Sequence, residues 1–279
     1  MLRSEVQNKT GLTRKAIEYY EEKGLIDPVR LENGYRDYSE KDVEILEKVA
    51  LFTKLGLSLK EIREIIFDGG SLSSVLRTKQ YELSVEEKKK EILEMIVKCA
   101  DKGDIDEKVK NLEMTDTIYK KLVNVFPGYY GQMFFSAYRP FLNEPLEEDG
   151  RAAFEKFVEY LDSLPEFNLN DEEKEYLDKI SAGFDMETLE EVNRSKIDAV
   201  SNSKEWLEKN REIIDEYEKY KESEEYKNSE VKKIQDKLTK YMAENNYYEV
   251  AIPLIRKFSP SYDDYYRKLL KANEDYLKR

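Results

Sequence analysis

The sequence predicts a mainly α protein: a small N-terminal domain of short helices with one hairpin, a long connecting helix and an all-helical C-terminal domain. Three observations carry that prediction. The first third holds closely spaced helix start and stop signals around a single Asn-Gly turn. Residues 75 to 100 sustain a helical apolar period. Residues 105 to 279 show few glycines, few β-branched alternations and many Lys/Glu pairs, with no strand signal. The expected domains are 1–70, 71–103 and 104–279.

With 279 residues, 40% of them apolar, the chain can bury a sizeable core in more than one domain. Its net charge of -13 argues, on charge alone, against nucleic acid as a partner. The acid is uneven, however: residues 1 to 66 carry 12 Lys and Arg against 13 acids, the remainder 35 against 47. Contact with phosphates is therefore expected only from a local face of the first domain. The lone Cys99 excludes an intramolecular disulfide, and the absence of histidine removes both a Cys/His metal set and the usual general base. No enzyme activity, metal or cofactor is expected, and a reduced, cytoplasmic setting fits. No apolar run approaches the roughly 20 residues that cross a bilayer, and Met1 leads into a polar helix rather than a signal segment.

Ser4 to Lys9 reads as a short helix closed by Gly11. Thr13 caps a second helix running to Lys23, with Gly24 at its left-handed end and Leu25 folding back onto it. Ala16, Ile17 and Tyr20 share one face; Arg14, Lys15, Glu18, Tyr19 and Glu22 share the other. In a helix-turn-helix the start of the second helix reaches base edges in the major groove, which makes Thr13, Arg14 and Lys15 the expected readers. Taken alone, the two cations fit the solvated start of a surface helix at least as well.

Asn33-Gly34 suits a two-residue type I′ turn, so Arg30 to Tyr38 is expected to form a ribbon. Arg36 and Tyr38 alternate with Asp37, share a face, and would touch the phosphate backbone as a wing. Ser39 caps a helix to Leu55 with Val43, Leu46, Val49, Ala50 and Thr53 as its buried stripe, and Gly56 stops it. Ser58 and Glu61 form a capping box for a helix that turns Leu59, Ile62, Ile65 and Ile66 inward.

The ordered set of Ser-Glu-Val at 4 to 6, Thr-Gly at 10 and 11, Tyr-Tyr-Glu at 19 to 21, Gly-Leu at 24 and 25, Gly-Tyr-Arg-Asp-Tyr at 34 to 38 and Leu-Gly-Leu-Ser-Leu-Lys-Glu-Ile at 55 to 62 resembles the DNA-binding domain of the MerR family of bacterial transcription regulators. The resemblance covers residues 2 to about 66. It implies a winged helix-turn-helix in which Tyr19 and Tyr20 approach the DNA backbone, Arg36 and Tyr38 act from the wing, and Lys54 reaches a phosphate. Tyr20 has an equal reading as a core residue. Glu18 departs from the pattern: the family usually has an arginine there, and a carboxylate repels phosphates. Gln7 stands where a small apolar residue is usual. The resemblance further implies a dimer on a palindromic promoter operator, RNA polymerase as partner, spacer DNA that is twisted and bent, and a variable C-terminal domain that senses an effector.

Beyond Gly69-Gly70 and Ser71 to Ser74, Leu76, Leu83, Leu93, Ile96 and Ala100 line one side of the long helix. A lone amphipathic helix is marginal in water, so it is expected to pair with its copy or to pack within its own subunit, and the resemblance favours an antiparallel dimer coil here. Cys99, at its end, reads as a buried small hydrophobe; metal-sensing relatives place thiolates here, but one thiol makes a poor site.

After the polar break Asp101 to Asp104, helices are expected at Asp106 to Val125, Gly131 to Leu142, Gly150 to Leu164, Asp171 to Ala182, Met186 to Ser201, Ser203 to Lys221, Ser229 to Glu244, Tyr247 to Phe258 and Asp263 to Leu277. Lys204 to Asn246 is expected to make an antiparallel helical pair, and Asp162, Glu172, Glu173 and Asp185 to sit on solvated faces. Phe126 to Phe141 concentrates seven aromatic residues, followed by Glu144, Glu147 and Glu148. Tyr129, Tyr130, Phe134, Phe135, Tyr138, Phe141 and Glu144 either line a cavity for a small-molecule effector such as a lipophilic cation, or the rings simply fill a helical core. A transcription regulator is the function expected; an acidic helical module that binds a protein partner is the rival.

Overall fold

The computed structural model describes residues 1–67, 70–146 and 148–278. Gly69 of the expected connector, Glu147 and the side chain of Glu148 lie outside the described residues. The chain divides into two compact units, Met1–Leu72 and Ser73–Arg279.

The first unit runs α1 (Arg3–Thr10), α2 (Arg14–Glu22), β1 (Val29–Arg30), β2 (Arg36–Asp37), α3 (Glu40–Lys54) and α4 (Leu59–Phe67). Its stops and starts follow the side chains. Gly11 and Gly24 take the left-handed conformation that ends α1 and the turn after α2. The Leu25 N–H donates back to the Tyr20 carbonyl at 3.0 Å. Reciprocal Ser39–Asp42 and Ser58–Glu61 bonds start α3 and α4. Val6, Ile17, Leu25, Val43, Leu46, Val49 and Ile62 form the core. The buried arc of α3 is wider than the expected stripe: Ile45 and Phe52 are buried and Thr53 is exposed, because α1 and α4 both pack on this helix.

The antiparallel ribbon pairs Val29 with Asp37 and Arg30 with Arg36. Its turn is not the two-residue type I′ expected, since Gly34 has positive φ and Asn33 does not. Gly34 N–H donates to the Leu31 carbonyl at 2.9 Å, Leu31 N–H to the Tyr35 carbonyl at 2.8 Å, and Asn33 Oδ1 accepts from Tyr35 N–H. This is a three-residue loop in which only the glycine has to be left-handed.

In the second unit α5 (Leu72–Val97) and α6 (Lys102–Val125) form an antiparallel hairpin. Tyr81 stacks on Tyr119 with centroids 3.7 Å apart, and their hydroxyls donate to Asp116 and Thr78. Cys99 is exposed, not buried: it sits at positive φ in the hairpin tip, beyond the cored part of the unit. Then follow α7 (Tyr129–Tyr138), a 3-10 turn at Arg139–Phe141, α8 (Glu148–Ser163), α9 (Asp171–Ser181) and α10 (Met186–Ser201). The expected helix at 203 to 221 is broken at Asn210 into α11 (Ser203–Lys209) and α12 (Arg211–Glu222). After α13 (Glu224–Lys227) and α14 (Glu230–Glu244), a π-helical turn at Tyr247–Ala251 leads into α15 (Ile252–Phe258) and α16 (Pro260–Leu277). The expected antiparallel pair does not form: α11 packs on α16, whereas α14 packs on α9 and the π-helical turn. Asp162 and Glu172 stand on solvated faces as expected, Asp162 beside Lys121, whereas Glu173 is held by Lys237 at 2.6 Å and Asp185 caps α10.

One charged side chain ties α5 to this core. Arg77 is fully buried; its Nε donates to Gln132 Oε1 at 2.5 Å, Nη1 to the Phe184 carbonyl at 2.9 Å and Nη2 to Ser74 Oγ at 3.0 Å. No helix among the described residues is long and apolar enough to cross a membrane.

Candidate nucleic-acid interface

The interface is built on the start of α2. Thr13 leaves the helix in extended conformation and its hydroxyl accepts from Ala16 N–H at 3.2 Å, which fixes where the helix begins. Ile17, fully buried, and Tyr20, 8% exposed, pin the opposite face to the core. Thr13, Arg14, Lys15 and Tyr19 are left exposed together, at the end where the helix's unpaired N–H groups attract anions. Tyr19 carries Lys23 over its ring at 5.5 Å. Lys54, in the last turn of α3, is also exposed.

Two carboxylates of α2 organise the arginines around this face. Glu18 Oε1 lies 3.0 Å from Arg14 Nε and 3.0 Å from Arg3 Nη1. The hydrogen bond from Arg14, helped by the charges of Arg3 and Arg36, lowers the Glu18 pKa below its ordinary value. Glu21 Oε2 holds Arg36 Nε at 2.5 Å, which raises the Arg36 pKa, and Glu21 Oε1 lies 3.7 Å from Arg30 Nη2. Sequence reasoning left out Arg3, Arg30 and Glu21. No sequence signal marked the last two, because the expected two-residue turn would set Arg30 opposite Asp37; the three-residue loop sets it opposite Arg36 instead, and like charges in direct cross-strand positions need a counterion, which Glu21 supplies.

Two residues assigned to the DNA backbone belong elsewhere. Tyr20 packs in the core, and Tyr38 is 2% exposed in the same cluster. Arg36 and Tyr38 do share a face of the ribbon, but that face turns inward, towards Glu21 and the core, while Asp37 points to solvent. Period-two alternation identifies a shared face without saying which way it points.

The effector residues are corrected as well. Tyr130, Phe135, Tyr138 and Phe141 are buried, with Tyr129 and Phe134 packed beside them. Phe126 and Phe134 centroids are 4.9 Å apart, Tyr81 and Phe135 5.0 Å, Phe141 and Tyr262 5.3 Å. The rings pack on one another and fill the space a ligand would need. Glu144 Oε2 accepts from Ser261 N–H at 3.2 Å in the first turn of α16, so it stabilises a helix start. A cleft of about 630 Å³ lies instead among α6, the loop before α8 and α8, with Met114, Leu146 and Phe154 beside four carboxylates and the cations Lys110 and Arg151.

A family model described as MerR HTH family regulatory protein matches residues 1–67. The chain is 48% identical over 64 residues to the HTH-type transcriptional regulator CueR of Yersinia pestis, a match covering 23% of this chain and 46% of that protein. It is 44% identical over 62 residues to HmrR of Rhizobium leguminosarum bv. viciae, covering 22% and 48%. With YfmP of Bacillus subtilis it shares 40% identity over 115 residues, 39% of this chain and 80% of that protein. The chain therefore spans under half the length of the first two relatives and four-fifths of the third. No solved structure matches it.

Proposed function

The chain belongs to the MerR family of helix-turn-helix regulatory proteins, and on that premise we propose that it is a transcription regulator which seats the start of α2 in the major groove of a palindromic promoter operator, as a dimer. The carrying observation is the capped N-terminus of α2, where Thr13, Arg14 and Lys15 stand exposed with Tyr19 one turn on. Tyr20 and Tyr38 take no part in this contact. Lys54 flanks it as a backbone contact, while Arg36 stays on the inward face of the ribbon against Glu21.

Pairing is supported by α5, which keeps Tyr81 inward but leaves Leu76, Leu83, Leu93 and Ile96 exposed, Leu83 at 69% and Leu93 at 62%. An apolar row of this length on one helix is covered economically by the same row of a second copy. The two α2 helices then read half-sites on one face of the duplex, and an effector shifts the dimer between DNA-bound shapes that bend and twist the spacer read by RNA polymerase. The cleft beside α6 and α8 is the seat for that effector; its apolar residues, with the four carboxylates of Asp106, Glu107, Glu113 and Glu155 outweighing Lys110 and Arg151, suit an organic cation.

Arg14→Ala with Lys15→Ala is expected to weaken operator binding at least about tenfold in gel shift. Unchanged binding by that double variant would sink the reading. Leu83→Glu with Leu93→Glu is expected to give a monomer in light scattering, and a panel of tetraalkylammonium and triarylphosphonium cations to include one that raises the Tm.

The rival reading, a module that captures a protein partner, is favoured by the exposed Trp206, Ile213, Tyr217 and Tyr220 on α11 and α12. It takes over if no promoter fragment binds.

A further inference from the structure

Arginines from two helices converge on a single oxygen of Glu18. Arg3 opens α1 and Arg14 opens α2, and each presents a guanidinium nitrogen 3.0 Å from Glu18 Oε1. An anionic oxygen gripped by two guanidinium groups is how proteins hold a backbone phosphate. The carboxylate has no other evident structural duty: it lies more than a turn into α2, past the helix's free N–H groups, and outside the core cluster. Its neighbours on the outward face are Arg14, Lys15, Tyr19 and Glu22. Glu21 differs, because it is more deeply covered and holds the ribbon to α2 through Arg36.

We propose that Glu18 is an internal stand-in for phosphate: in the free protein it occupies the seat between Arg3 and Arg14 that a backbone phosphate takes on DNA. Binding there exchanges one anion for another. The inference rests on the reading of α2 as the DNA-facing helix. Two consequences follow from the charges alone. Displacing the carboxylate costs affinity, because the arginines give up one anion to gain the other. With Glu18 present, two cations and one acid face the backbone, so fewer counterions are released than two bare arginines would release. A chain of net charge -13 with such a seat holds DNA loosely unless a phosphate stands where it can displace the carboxylate.

The test uses the full chain and a fluorescein-labelled, mixed-sequence duplex of about three helical turns, followed by anisotropy between about 50 and 200 mM salt. Glu18→Gln is expected to bind about three- to tenfold tighter, with the slope of log K against log salt steeper by about one. Glu18→Ala, which leaves no amide to hold the arginines, is expected to change in the same direction. In an Arg14→Ala background the gain from Glu18→Gln is expected to shrink, since the two substitutions act on one seat. Unchanged or weaker binding by either Glu18 variant overturns the proposal and leaves Glu18 as a group that orients Arg14. If Arg14→Ala binds as tightly as the wild type, it is the assignment of α2 to DNA that fails, which is a different result.

Discussion

A guanidinium stripped of water must find acceptors for several fixed donors, and Arg77 finds them on three elements: Ser74 on α5 itself, Gln132 on α7, and the Ser181 and Phe184 carbonyls at the end of α9. Burial lowers its pKa, while Tyr129, Asp178 and Asp185 act the other way. Arg77→Ala leaves Gln132 Oε1 and two carbonyls without this donor, so a loss of about 2 to 4 kcal/mol is expected in urea denaturation. A loss below about 1 kcal/mol would show that water or a neighbour satisfies those groups. Nothing in the local sequence marked Arg77, because its acceptors other than Ser74 are 55 to 107 residues away in the chain. The exposed helix start at Thr13, Arg14 and Lys15 was legible because capping is a local event. Tyr20 and Tyr38 were misplaced because a tyrosine presents an apolar ring and a polar tip, and only packing decides which one is used.

Glycine shows how far an element can be read from its sequence. Gly56 ends α3 at φ +81° with open space where a Cβ would stand, so Gly56→Ala meets only backbone strain, about 1 kcal/mol. Gly131 is the opposite case: a Cβ there would lie 2.3 Å from the Phe126 carbonyl oxygen and 2.8 Å from Val123 Cα. Gly131→Ala must therefore push α7 away from the end of α6, and a larger loss than that of Gly56→Ala is expected by thermal denaturation. Gly56 is visible in sequence as a helix stop, whereas nothing in sequence separates Gly131 from any other glycine among aromatics, because close approach is a property of two elements. The same division explains the rest. Capped starts such as α2, α3 and α4 were read correctly, whereas the break at Asn210 and the π-helical turn at Tyr247–Ala251 leave the apolar period nearly intact and escape it.

At the scale of the molecule, the two units have separate apolar clusters with no residue in common. Separate cores need not melt together, so unfolding followed by Trp206, the single tryptophan and a residue of the second unit, is expected to diverge from unfolding followed by helicity. One shared transition would mean that the units stabilise each other. Within the second unit, α5 is anchored near its start by Arg77 and reaches its far end at Val97, about 30 Å away at helical rise. That makes the rest of the helix a lever arm, held near its base by Arg77 and by Tyr81 on Tyr119. A tilt of about one degree at the pivot sweeps the tip through about half an ångström. A small adjustment of the α7 and α9 ends that grip Arg77 would thus be magnified towards exposed Leu93 and Ile96, far from the buried hydrogen bonds where it began.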